Sequence, residues 1–130
     1  MSPRIFVVSS DNDRLSSLLG LLSGAGYRAS GASTFAQAKE ILGMRSPDLV
    51  IADERLGPFN GLHVIVLGRA HRPDMKGIVT SNCKDCGLEA DAKRLNVACL
   101  VEPATPAEWL LSISNTLEDG IGSSSRTVVH

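Results

Sequence analysis

Apolar residues along this chain fall into two patterns that alternate from one end to the other. Short continuous runs, Ile5–Val8, Leu49–Ala52, Gly77–Thr80 and Ala98–Val101, read as strands buried on both faces of a sheet. Tyr27–Ser30 is a weaker run of the same kind. Between the runs, apolar residues recur at helical spacing. The first such set is Leu15, Leu18, Leu19 and Leu22, and the second is Phe35, Ala38, Ile41 and Leu42, with Ser33 placed to cap a helix reaching Met44. Leu62–Ala70 holds a β-branched stretch that also suits a strand, but its spacing fits a helix better. Leu88, Ala92 and Leu95 mark a fourth helix. Trp109, Leu110, Ile113 and Leu117 mark a fifth, opened by Thr105, Pro106 and Glu108 as a capping box with proline at the first helical position.

Five strands alternating with five helices over short connections predict right-handed βαβ units and a parallel sheet covered on both faces. The expected architecture is an α/β, flavodoxin-like (βα)5 doubly wound sheet in strand order 2-1-3-4-5, with its crevice at the carboxyl ends of strands 1 and 3. Residues 1–119 form the expected domain, and the Gly/Ser-rich stretch 120–130 reads as a flexible tail or linker. The central run stops on Asp53, and Gly57, Pro58, Asn60 and Gly61 delay the next helix. Asp53 is thus either an acid on a rigid support at the crevice or a simple loop cap. The other strands end on Ser9-Ser10-Asp11, on Thr80 and on Glu102, so four strand ends aim polar side chains at one cleft.

Charge adds an exclusion. Thirteen Lys and Arg stand against 14 Asp and Glu, a net charge of −1, which argues against nucleic acid or a membrane surface as the main partner. No apolar run approaches a membrane span, and Met1-Ser2-Pro3-Arg4 leads into a strand without the apolar core of a secretion signal, so a cytoplasmic protein is expected. Three cysteines make no disulfide framework.

From Arg4 to about Leu117 the chain resembles the receiver domain of two-component response regulators. The resemblance is carried by the leucine-rich first helix, Gly26-Tyr27, and Pro-Asp-Leu-Val-Ile-Ala-Asp leading to Asp53. It continues in Gly61 eight residues later, Thr80, and Glu102-Pro103. It implies that Asp53 accepts a phosphoryl group from a histidine kinase and that Thr80 is the switch hydroxyl. It also implies a non-enzymatic signalling role, and homodimerisation through the helix 4–strand 5–helix 5 face. The family's pattern is broken at four places. Ser9 and Ser10 stand where an acidic pair would hold Mg²⁺, and Asp11 comes one position late. Glu102 replaces the lysine that would pair with phosphoryl oxygens. Cys99 replaces an aromatic, and Leu56-Gly57 stands where Met-Pro is common.

Mg²⁺ needs hard oxygen ligands, so Asp53 with Asp11 is a poor metal site on these residues. A unit charge pair at about 4 Å is worth about 4 kcal/mol at an effective dielectric near 20, and reversing the sign at position 102 works against a phosphorylated Asp53. Glu102 is expected as a solvated strand-end residue; the other reading sets it opposite Asp53, in a different metal site or sharing a proton. Two functions stay open: a phosphoacceptor in a phosphorelay, and a pseudo-receiver that binds its partner without phosphorylation. A third reading makes Cys83 and Cys86 a thiol redox pair before a helix. His63, His71 and His130 are scattered beside no plausible nucleophile, and the glycines form no phosphate-cradling fingerprint.

Overall fold

The computed structural model describes residues 3–56, 59–81, 86–102 and 104–118, with residues 59 and 86–89 described at the backbone only. Five parallel strands form one sheet: β1 (Arg4–Val8), β2 (Arg28–Ala32), β3 (Leu49–Asp53), β6 (Lys76–Ser81) and β7 (Ala98–Val101), in spatial order β2-β1-β3-β6-β7. With the two-residue strands β4 (Arg55–Leu56) and β5 (Phe59–Asn60) set aside, that is the expected order 2-1-3-4-5. The antiparallel β4–β5 pair was not expected. It occupies the stretch where turn residues postpone the next helix.

β3 is the axis. Leu49, Val50, Ile51 and Ala52 are all at most 1% exposed, because β1 pairs with one edge, β6 with the other, and helices cover both faces. Each fully buried Val, Leu or Ile contributes about 1.5–3 kcal/mol, so this strand cannot slip in register without large loss. The alternation of β-strand side chains splits the core in two. Phe6, Val8, Val50, Ala52 and Val79 face the layer of α2 (Phe35–Met44) and α3 (Gly61–His71). Ile5, Val7, Leu49, Ile51 and Ile78 face that of α1 (Asn12–Gly24) and α5 (Pro106–Glu118).

Several boundaries differ from the sequence reading, and two of the differences are informative. β2 runs over Arg28–Ala32, later than Tyr27–Ser30, because its pairing with β1, from Arg4↔Arg28 to Val8↔Ala32, decides its limits rather than its weak local pattern. The cap of α2 is Thr34, whose hydroxyl accepts from the Gln37 N–H at 3.1 Å. Ser33 instead sends its backbone N–H to Gln37 Oε1 at 3.1 Å. The capping box of α5 is as read: the Thr105 N–H donates to Glu108 Oε1 at 2.8 Å, and the Glu108 N–H to Thr105 Oγ1 at 3.1 Å. Those bonds favour the ionised Glu108 and hold its carboxyl below the ordinary range. Among the described residues no helix is long and apolar enough to cross a membrane.

Candidate functional site

The cleft at the carboxyl ends of the strands is assembled by register. Asp53 pairs with Thr80 across the β3–β6 ladder, and Val8 pairs with Ala52, which puts Ser9 beside Asp53 on the other side. Glu102 follows β7, its backbone N–H bonded to the Ser81 carbonyl at 2.7 Å. Gly61 is required at its place: a Cβ there would collide with the carbonyl oxygen of Asp53. The close approach of α3 to the end of β3 therefore depends on glycine. Asn60 caps that helix, its side chain accepting from the Leu62 N–H at 2.8 Å.

Both oxygens of Asp53 are engaged. The Ser9 hydroxyl donates to Oδ2 at 2.6 Å, and the Thr80 hydroxyl donates to Oδ1 at 2.9 Å. Ser9 and Thr80 are each only 2% exposed, so these bonds act where little water competes. The third partner was not expected from the sequence. Arg14, in the first turn of α1, reaches into the cleft and forms an ion pair with Asp53 Oδ1. Its Nη2 pairs with Glu102 Oε1 and donates to Thr80 Oγ1 at 3.1 Å, while Nε donates to Glu102 Oε2 at 3.2 Å. One guanidinium thus holds the two carboxylates and the hydroxyl together.

Glu102 is consequently not a freely solvated strand end. It is the far jaw of a clamp, with its side chain 22% exposed against 16% for Asp53 and 26% for Arg14. Asp11 serves as the N-cap of α1, accepting from the Arg14 backbone N–H at 3.1 Å. Ser10 is exposed. Ser81 donates to Glu54 Oε1 at 2.9 Å, a neighbouring pair not singled out in the sequence.

These residues do not fit Mg²⁺. Among the described residues no three His, Cys, Asp or Glu side chains converge on a point. The two carboxylates that do face each other have a cation between them, and the Asp53 oxygens already receive three hydrogen-bond donors. Asp11, the other expected ligand, is spent on the helix cap. Cys99 is half-buried and packs against the α2–α3 side of the core. Cys83 and His130 lie outside the described residues, as do Gly57 and the tail, and of Cys86 only the backbone at the start of α4 (Cys86–Arg94) is described. His63 and His71 are exposed on α3.

No family model matches the chain, and no curated protein matches it by sequence. Solved structures do match it in fold. A CheY-like response regulator receiver domain from Methanospirillum hungatei JF-1 superposes with a TM-score of 0.83 at 21% identity, over 92% of this chain and 96% of that one. The signal receiver domain of an HD domain-containing protein from Pseudomonas fluorescens Pf-5 gives 0.81 at 28% identity, over 91% and 96%. The beryllofluoride-activated NtrC4 receiver domain dimer gives 0.81 at 23% identity, over 89% and 97%. The chain has the fold of response-regulator receiver domains.

Proposed function

We propose that this receiver-fold domain is a signalling module that works through protein contacts without phosphorylation of Asp53, and that it is not an enzyme. The observation that carries the reading is the Arg14 clamp. To attack a phosphoryl donor, an Asp53 oxygen must be free and a cation must neutralise the incoming charge. Here Oδ1 holds Arg14 and Thr80, Oδ2 holds Ser9, and Arg14 is itself tied to Glu102. Withdrawing Arg14 strands Asp53 and Glu102 as facing carboxylates, at a cost on the order of 3 kcal/mol for breaking a largely desolvated pair. That is more than a hundredfold against the open pocket.

The pocket as a whole substitutes an internal ion pair for a metal and a transferable phosphoryl group. The Thr80 hydroxyl donates to Asp53 Oδ1 at 2.9 Å, which favours one state of the β6 end. The output then depends on which partner the domain meets, either another signalling protein or a second copy of the chain. The rival reading, a phosphoacceptor served by a histidine kinase, requires Arg14 to leave Asp53.

Intact-mass measurement after incubation with acetyl phosphate and Mg²⁺ decides between them, with Asp53→Asn as the control. The wild type should stay unmodified. Supplying the family's ligands through Ser9→Asp, Ser10→Asp and Glu102→Lys should give little modification by itself, because Arg14 still pairs with Asp53 Oδ1. Adding Arg14→Ala to that set should bring phosphorylation. Robust modification of wild-type Asp53 would overturn the proposal.

A further inference from the structure

The amino ends of the strands, opposite the cleft, carry a different chemistry. β1, β2 and β6 all open on a cation, Arg4, Arg28 and Lys76. Arg4 and Arg28 are direct register partners in the β1–β2 ladder. Like charges directly opposite are destabilising. The sheet relieves this pair only in part: among the described residues neither guanidinium makes an ion pair, and the carboxylates at this end, Asp48 and Asp74, are both paired with Arg72. A third exposed cation, Arg45, follows the end of α2. With Arg72 counted, five cations stand against Asp48 and Asp74 here, so this end is basic in a protein of net charge −1.

The three arginines also rim a cavity of about 150 Å³ between α2 and the first two strands. Its lining also includes Phe6, Ile41 and Pro47, so apolar and cationic groups meet there. A wider hollow, sharing Arg4 and Arg28, adjoins it. β2 is an edge strand of the sheet, with Arg28 and Ser30 exposed on it. Charge and shape together select the occupant. Guanidinium groups are donors matched to carboxylates, and an apolar cavity of this size takes one hydrophobic side chain.

We propose that this groove docks a partner protein through an acidic segment carrying an apolar anchor, the acids meeting Arg4, Arg28 and Arg45 and the anchor entering the cavity. This goes beyond the reading of the Asp53 pocket and is independent of it, since the two lie at opposite ends of the sheet. The anion relieves the Arg4–Arg28 juxtaposition, which the free domain compensates only in part.

The test uses a fluorescein-labelled hexapeptide with four glutamates flanking a central Leu-Phe pair, titrated into the full chain and followed by polarisation and by amide shifts. Saturable binding is expected, weakening severalfold as salt rises from about 0.05 M to about 0.2 M. Amide shifts should concentrate in β2 and the end of α2. R28E/R45E should lose about tenfold or more in affinity; if the reversal unfolds the domain, R28Q/R45Q gives the same readout. Asp53→Asn should bind like wild type, which keeps this result apart from any failure of the pocket reading. A peptide with serines replacing Leu-Phe should bind more weakly. Equal binding of the serine peptide, undiminished binding by the arginine variants, or tighter binding of oligothymidylate or inorganic phosphate would each overturn the proposal. So would no binding at millimolar peptide.

Discussion

At the scale of single residues, the site turns on Arg14. A cation in the first turn of a helix opposes the helix dipole and should not be there without an acidic partner. That was the signal in the sequence: Arg14 is a misplaced positive charge, and Glu102 is a misplaced negative one. Read separately, each is a surface residue; read together, they compensate, and only the folded β1–α1 connection brings positions 14 and 102 within bonding distance. Removing Arg14 leaves Asp53 and Glu102 without their shared donor, and charge-assisted bonds are worth about 1.5–3 kcal/mol each. Arg14→Ala should therefore lower stability by about 3 kcal/mol, roughly 10 °C in Tm for a domain of this size. Adding Glu102→Gln should recover part of the loss, since the two changes act on one network and do not sum. Thermal melts at pH 7 check both; a shift under about 2 °C for Arg14→Ala would mean that the clamp contributes little. Asp53, Thr80, Ser9 and Glu102 were legible as cleft residues because strand ends can be read from where apolar runs stop. Their bonds were not legible, since these depend on side-chain reach across four elements.

At the scale of elements, the sequence was clear wherever a local signal and tertiary packing agreed. The Thr105–Glu108 box is wholly local and starts α5 where expected. β2 has little local pattern, and its limits come from β1. The β4–β5 pair has no signature beyond its turn residues. Asp48 shows how the strands are tied together below the core. Its carboxylate accepts the Arg4 N–H at 2.8 Å and pairs with Arg72 at 2.9 Å, while its own N–H reaches the Arg4 carbonyl at 2.9 Å. Its carbonyl accepts from the Lys76 N–H at 3.0 Å. Burial pushes the Asp48 carboxyl up, but the Arg4 N–H and the Arg72 guanidinium outweigh it and hold the group below its ordinary value. A depressed carboxylate gives stability that is complete above the unfolded value, about 3.9, and is lost as pH falls through the lower folded value. Urea midpoints should thus drop in wild type below about pH 4, and the slope should be shallower in Asp48→Asn. Parallel pH profiles for the two proteins would assign the acid sensitivity elsewhere.

At the scale of the whole molecule, the sheet separates two chemistries. Its carboxyl end holds Asp53 and Glu102 around one arginine, and its amino end sets Arg4 against Arg28. With the oxygens of Asp53 taken by Arg14, Ser9 and Thr80, we expect partner contacts on other faces. One is the edge formed by β7, whose Ala98, Cys99, Leu100 and Val101 are only partly buried although they belong to the main sheet. The helices on either side of β7 in the chain add Leu95, 37% exposed just past α4, and Leu111, 62% exposed on α5. An edge strand, and exposed leucines on the elements flanking it in the chain, are features that a second copy can cover. We therefore expect a dimer by light scattering at tens of micromolar, in the range typical of standard interfaces of modest affinity. Because the Arg14 clamp fixes the pocket, acetyl phosphate with Mg²⁺ should leave the mass unchanged, which separates this association from one switched by phosphorylation. Leu111→Glu should return the monomer mass without moving Tm, as the side chain is mostly solvated in the free domain. A wild-type monomer throughout this range would remove the β7 edge as a self-association surface, and a dimer that survives Leu111→Glu unchanged would place the contact on another face.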